Sequence, residues 1–477
     1  MTSENPSGSH WRLLSAPLAR LSNNPISLVG VVFVTTAGVL WLFLLPVFLR
    51  GLVPHPYMGI LLFLMLPGLF FGGLALIPLG IWLRYRRERK KGPVAWTEPA
   101  RWNMADVRRI AAFVGVTTIA NLVIGSQLSY RAVAYMDSVT FCGLTCHRIM
   151  IPEFTAYQHS PHSRVECVQC HIGPGASWFV KSKASGLNQV FNYVLNTYPR
   201  PIPTPVQSLR PARETCEACH WPARFSGDRL RVLTEYGDDD KNSMTKTVLL
   251  MHVGGGNGGI GIHGRHVGVG VLIEYASDPS RQNIAWVRHK GADGKVTEYR
   301  SADAKPGAES KLEHRAMDCI DCHNRPSHNY ELPGRAVDEA FAEGLIPQSL
   351  PFIHKEGIEI IKRQWKSKEE GLSGIPAAVA SYYKQNYPDA AAADVKRAGE
   401  ALALVWDRNV YPELRINWGT YPNNLGHVDF PGCFRCHDGS HTSASGDTIS
   451  QDCETCHHVL AVEEPAPKIL SDLGVGQ

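Results

Sequence analysis

The sequence predicts a chain of two unlike parts: N-terminal transmembrane α-helices, then a domain with little regular secondary structure, made of mixed short helices and a few strands. Three observations predict it. Long uncharged apolar runs lie ahead of residue 130. All 12 cysteines come after them, from Cys142 onward, in pairs that each end in a histidine. Past Met136 the chain is rich in glycine, proline and turn residues, with few long periodic segments.

Residues 1–24 are polar, carry Arg12 and Arg20, and show no obvious cleavage signal. Ile26 to Leu49 is apolar throughout and long enough to span a bilayer. Tyr57 to Leu83 is a second such run, interrupted only by proline and glycine, which membrane helices tolerate. Ile110 to Leu128 is a shorter third candidate that includes Asn121. The loop after the second run reads RYRRERKKG, Arg84 to Gly92, and Arg108-Arg109 precede the third. Positive charge stays inside. The N-terminus and this loop are therefore expected in the cytoplasm of a bacterium, with everything after about Gln127 in the periplasm. The net charge of +4 points to no particular partner, and no nucleic acid is expected.

The cysteine pairs carry the chemistry. Cys167-Val-Gln-Cys170-His171, Cys216-Glu-Ala-Cys219-His220, Cys319-Ile-Asp-Cys322-His323, Cys433-Phe-Arg-Cys436-His437 and Cys453-Glu-Thr-Cys456-His457 are C-x-x-C-H haem c attachment motifs. Two thiols bond the porphyrin and the adjacent histidine reaches the iron. Cys142-x-x-x-Cys146-His147 is a looser variant with one extra residue. These six motifs use every cysteine. Zinc ribbons do not require histidine after every second cysteine, and six pairs each followed by histidine argue against disulfides. The expectation is six covalent haems, in a multihaem cytochrome c domain whose interior is filled largely by porphyrin.

A six-coordinate haem needs a second axial ligand. Of 20 histidines, 14 lie outside the motifs. His162, His328, His427 and His441 lie close to motifs and are the expected distal ligands. His263 and His266, in GIHGRHVG, supply one more, with His252 in reserve. His10, His55, His159, His289, His314, His354 and His458 are read as ordinary histidines. Spacing does not say which haem receives which ligand.

Between motifs, Gly186 to Leu195 reads as a short amphipathic helix near the membrane surface. Val248 to Tyr275 and Asn283 to Tyr299 contain β-prone runs, and Ala336 to Leu345 and Ala391 to Trp406 have helical composition. GGGNGGIG, Gly254 to Gly261, lacks a Walker lysine and is read as backbone packed close to a haem. The expected division is 1–100, two spans and a basic loop; 101–235, a third span and the first three haems; 236–335, a glycine-rich segment with the fourth; and 336–477, helices and the last two.

Residues 108–225 resemble the NapC/NirT family of membrane-anchored multihaem quinol dehydrogenases. The text that carries this is MDSVTFCGLTCH, MIPEFTAYQHSPH, VECVQCHIGPG, FVKSKASGL and TYPRPIPTPVQSLRPARETCEACHWP. The tail, with WGTYPNNLGH, GCFRCHDGSH and DCETCHHVLAVEE, resembles C-terminal modules of larger multihaem cytochromes. The whole layout is similar to inner-membrane cytochromes that feed extracellular electron transfer. The resemblance implies quinol oxidation near the first haem, a methionine ligand there, and a lysine and an acid in the quinol pocket. Met150 stands in the corresponding place and Lys181 or Lys183 fits the lysine. The chain departs from the pattern by inserting Leu144, by setting Met150 one residue further from His147, and by placing Asn188 and Gln189 where the acid would be. Whether Met150 or His147 ligates stays open.

The function so implied is that of an inner-membrane quinol dehydrogenase. It draws on the quinol pool in the lipid bilayer and passes electrons through its haems to a periplasmic cytochrome or reductase, as in anaerobic respiration. An electron-transfer and anchor subunit without its own quinol site is the alternative. A terminal reductase would need a ligand-free haem with convergent arginine or lysine, and no residues suggest one.

Overall fold

The structure, a computed structural model, describes residues 24–49, 64–90, 108, 119, 123, 127, 130–131, 133–145, 147–173, 176–206, 210–221, 227–255, 260–304 and 311–475. The chain divides into two units, Met1–Asp137 and Ser138–Gln477.

In the first unit α1 (Pro25–Leu49) and α2 (Leu66–Arg89) form a close pair. Asn24 starts α1. Its side-chain oxygen accepts the Ser27 backbone N–H at 2.9 Å, and Pro25 takes the first helical position, where no N–H is needed. The helices meet at glycine: a Cβ on Gly30 would lie 2.7 Å from the Gly73 carbonyl oxygen, and one on Gly73 equally close to that of Gly30. Small residues permit this approach where lipid gives helices no hydrophobic reason to associate. Ser27 Oγ also donates to the Ile77 carbonyl across the pair at 2.9 Å. Trp41 packs on Phe70 in the seam, while Leu42, Phe71 and Trp82 are exposed. Both helices are long and apolar enough to cross a membrane.

The second span ends later than expected. It continues through RYRRER to Arg89, so most of the basic residues assigned to a loop are helical. Arginine is a good helix former, and the Arg84–Glu88 pair at 3.0 Å, one turn apart, supports the extension. The expected start at Tyr57 lies outside the described residues. So does the third span, residues 110–128, apart from Ile119, Val123 and Gln127, which are helical.

The second unit begins with α3 (His147–Gln158), α4 (Cys167–His171), α5 (Ala176–Val194) and α6 (Ala212–Cys216). Strands β1 (Arg229–Tyr236) and β2 (Met244–Met251) follow, then α7 (Gly261–Val267), β3 (Leu272–Ser277), β4 (Ile284–Lys290), β5 (Val296–Arg300), β6 (Glu313–Ala316) and α8 (Cys319–Cys322). Four helices come next: α9 (Pro333–Ala342), α10 (Ile353–Ile361), α11 (Lys368–Asn386) and α12 (Ala392–Asn409). The chain closes with β7 (Thr442–Ser443), β8 (His457–Glu464) and α13 (Lys468–Asp472).

Two antiparallel sheets result, in the orders β1-β2-β8 and β6-β3-β4-β5-β7. The C-terminal residues thus return to both: β8 sets His457 opposite Met251, and β7 pairs Ser443 with Tyr299. The β-prone stretch after Val248 is not continuous, because α7 interrupts it. At the glycine run, Gly254 has φ +56° and a Cβ there would lie 2.0 Å from the Ile260 carbonyl oxygen. The two ends of the run close on their own backbone, which glycine alone permits.

Residues 333–410 are more regular than the sequence reading anticipated. Ser367 caps α11 by accepting the Glu370 N–H at 3.2 Å. Trp406 of α12, 1% exposed, lies against Gly371 of α11, and Ile353, Ile360, Ile361, Ile375 and Leu402 fill the space between the helices. This is the largest apolar core among the described residues.

Candidate functional site

The second to fifth motifs are each wound into one tight turn. The backbone N–H of the motif histidine donates to the carbonyl of the first cysteine from His220 to Cys216 at 2.7 Å, His323 to Cys319 at 2.8 Å and His437 to Cys433 at 3.1 Å. One turn is the shortest path that carries both thiols and the imidazole to a common place. The first motif takes its extra residue differently. Phe141–Thr145 forms a π-helical turn, the local solution to one surplus residue, and Leu144 is exposed on it. Gly143 lies against the Phe154 ring, where a Cβ would be 2.2 Å away. The His147 side chain and Cys146 lie outside the described residues; Met150 follows three residues on in α3.

The other motif histidines each face a histidine from elsewhere in the chain. Ring centroids are 6.1 Å apart for His171–His328, 5.9 Å for His220–His162, 6.2 Å for His323–His263, 5.9 Å for His437–His266 and 6.2 Å for His457–His427. Two metal–nitrogen bonds of about 2 Å, plus about 1 Å from nitrogen to ring centre at each end, give roughly 6 Å. The spacing is that of two imidazoles holding one iron between them. Burial holds His171, His263, His266, His323 and His457 below the ordinary imidazole pKa, which keeps them neutral and able to ligate. The Nδ1–H of His162 donates to the Pro326 carbonyl at 3.1 Å, that of His266 to Ile262 at 2.7 Å, and that of His437 to Ser450 at 2.6 Å. These bonds fix the tautomer that leaves Nε2 for a metal.

Partners cross between segments. His162, between the first two motifs, faces the third; His328, after the fourth, faces the second. Both histidines of α7 face motif histidines, His263 that of the fourth and His266 that of the fifth, although the sequence reading asked for only one. The reserve candidate His252 sits 4.6 Å from His458 at 90°, too close to admit an iron, with its Nδ1 3.0 Å from Asp228.

In the structure His441 is placed differently from the other candidates. It was expected as a distal ligand, yet it is 1% exposed with both ring nitrogens taken by protein. Nδ1 lies 2.8 Å from Asp438 Oδ1 and Nε2 lies 3.0 Å from the Ile284 carbonyl oxygen. Burial opposes ionisation of Asp438, but hydrogen bonds from His441 and Ser440 outweigh it and hold the carboxyl down at about 2. This histidine pins the fifth motif's loop to β4.

The motifs also follow one another in space. Cys142 lies beside Cys167, and Cys216 beside Cys319. Cys170 and Cys219, Cys322 and Cys433, and Cys433 and Cys456 lie within electrostatic reach. Sequence reasoning missed what ties the fourth motif to the fifth. Asp321, 2% exposed inside the fourth, accepts from Tyr275 Oη at 2.6 Å and Arg315 Nε at 2.9 Å. Arg435, inside the fifth, donates to the Asp321 carbonyl at 2.6 Å and the Arg281 carbonyl at 2.7 Å. A charged residue between two motif cysteines was the available signal.

Lys181, on α5, is exposed, with its Nζ 4.5 Å from the centre of the Trp178 ring; the Lys183 side chain lies outside the described residues. Further along α5, Val190, Phe191 and Val194 are exposed, followed by exposed Leu195.

The N-terminal region of the NapC/NirT cytochrome c family matches residues 104–201. The chain is also 40% identical over 447 residues to the cytochrome c-type protein ImcH of Geobacter sulfurreducens, covering 92% of this chain and 88% of that protein. The chain belongs to the NapC/NirT cytochrome c family. No solved structure matches it. As a family member it is a membrane-anchored electron-transfer cytochrome that binds haem c covalently. The histidine spacing fits that cofactor.

Proposed function

We propose that the protein oxidises membrane quinol and delivers the electrons, through six covalently held haems, to a periplasmic acceptor. The observation that carries this reading is the set of five histidine pairs at iron-bridging separation, on motifs that succeed one another in space. When bound, each haem c supplies a one-electron carrier whose potential depends on its axial ligands and burial.

In this reading the twelve cysteines anchor six porphyrins. His171 with His328, His220 with His162, His323 with His263, His437 with His266 and His457 with His427 would hold five irons. The sixth, at Cys142 and Cys146, is held by His147 or Met150, and its quinol side is served by Lys181 or Lys183. A lysine there orients a quinol hydroxyl and favours its deprotonation, since quinol must release two protons with two electrons. The exposed Val190, Phe191, Val194 and Leu195 suit lipid contact, so α5 is the face by which this domain meets the bilayer. The N-terminus is cytoplasmic and the haem domain periplasmic.

The test is quinol oxidation by the purified protein in detergent. Reduction of the haems by quinol, slowed in Lys181→Ala or Lys183→Ala with haem content unchanged, supports the reading. Equal rates in both lysine variants would remove the quinol pocket from this site and favour the anchor-subunit alternative.

A further inference from the structure

The pair His171–His328 differs from those described above in what stands behind its distal imidazole. The His328 Nδ1–H donates to the Glu153 carbonyl at 3.0 Å, as other distal histidines donate to a carbonyl. In addition, the Glu153 carboxylate brings Oε2 to 3.2 Å from the same nitrogen. The N–H is directed at the carbonyl, so the carboxylate acts on the ring through its charge. It is well shielded from water: the Glu153 side chain is 15% exposed and that of Arg325, its counter-ion at 3.6 Å, 7%. Arg325 sits on the far oxygen, Oε1, with its guanidinium 4.1 Å from the Tyr421 ring centre. The negative end of this ion pair therefore faces the imidazole and the positive end faces away.

We infer that Glu153 sets the reduction potential of the haem anchored by Cys167 and Cys170, acting through His328. The inference rests on the ligand assignment proposed above. A carboxylate beside a ligating imidazole raises its basicity and favours the more positive oxidation state of the metal. The nearer charge outweighs the farther one of opposite sign, so Arg325 offsets the effect only in part. The haem of the second motif is thereby held lower in potential than a neutral environment would leave it. As the second motif adjoins the first through Cys142 and Cys167, Glu153 governs how readily electrons leave the first haem.

The experiment is a spectroelectrochemical titration of the full-length protein in detergent, with low-temperature paramagnetic resonance of the ferric haems. Glu153→Gln should raise one midpoint potential by about tenfold in its reduction equilibrium, or 59 mV for a one-electron couple, with the haem count intact. Glu153→Asp keeps the charge and should move the same haem less. Arg325→Met leaves the carboxylate unbalanced and should move it downward, which also covers loss of haem in the glutamine variant. His328→Met should turn one bis-histidine signature into histidine–methionine and raise its potential. If His328→Met alters one haem while Glu153→Gln leaves every potential in place, Glu153 has no tuning role and the ligand assignment stands. If His328→Met leaves all signatures unchanged, the assignment falls, and the role of Glu153 with it.

Discussion

Residues 333–410 and the cysteine-bearing segments around them are held together by different physics. The four helices share one apolar core, with Trp406, Ile353, Ile361 and Leu402 almost wholly buried. Among the described residues, the segments with the motifs have smaller cores: Ile273, Tyr275, Ile284 and Val287 in one sheet, Val248 and Ala461 of the other sheet with Leu470 of α13, and Ala156, Tyr330, Tyr411, Leu414, Ile416 and Tyr421. What recurs there instead is histidine facing histidine at about 6 Å. Apolar burial suffices for the first region. The second has little apolar side chain for its length, and a haem c bonded through two thioethers and two imidazoles would tie its segments together. The difference predicts that folding and cofactor loading are one event in the second region and separate events in the first.

The most severe way to break the comparison is to prevent haem attachment. Protein made without haem should keep α9–α12 protected in limited proteolysis, while cleavage spreads through residues 141–331. Uniform protection of the haem-free chain would show that both regions stand on side-chain packing alone. The converse is Trp406→Ala, which opens a cavity in the helical core. It should cost about 3–5 kcal/mol in that region and leave the haem absorption spectrum unchanged. Haem loss in this variant would mean that the two regions fold as one.

A smaller effect is expected of His441→Ala. Losing two buried hydrogen bonds and leaving Asp438 without its partner should cost about 1–3 kcal/mol. Every bis-histidine resonance should persist, because this imidazole is held by protein on both nitrogens. Disappearance of one such resonance would return His441 to the ligand set.

The mildest effect concerns pH at the join between β1, β2 and the helices. His354 has Nδ1 2.8 Å from Asp238 and Nε2 3.2 Å from Asp338. Burial would lower its pKa, but the two carboxylates outweigh that and hold it above the ordinary value. The folded form thus binds the proton more tightly than the unfolded form. Its stabilisation is complete below the unfolded pKa of about 6.5 and is lost as pH rises through the folded one. Thermal melting of the helical region should accordingly fall on the alkaline side, and His354→Gln should flatten that slope. An unchanged slope would exclude this latch.

How much was legible in the sequence follows the range of the interaction. The first two spans read directly as uncharged runs, and only the end of α2 shifted, because arginine helix propensity carried the helix into the basic stretch. Helices α9 and α12 were anticipated from composition, whereas α10 and α11 were not. Gly357, Gly371, Gly374 and Pro376 disguise them, though Gly371 and Gly374 are small because Trp406 and Trp365 press against them. The motif cysteines and histidines were legible because two thiols and an imidazole three and four residues on share one helical turn.

The sequence by itself therefore determined the anchor segments and the cysteine–histidine motifs, since each rests on near neighbours in the chain. Only the tertiary structure decided which histidine faces His171, His220, His323, His437 and His457. It set His162 opposite the third motif rather than the adjacent second, brought His328 back to face the second, and turned both His263 and His266 toward motif histidines. It also gave both ring nitrogens of His441 protein partners and set Glu153 behind His328. An imidazole has two nitrogens that serve equally as ligand, donor or acceptor. Which role each takes depends on what distant segments bring within 3 Å or 6 Å of it, and spacing along the chain carries no record of that.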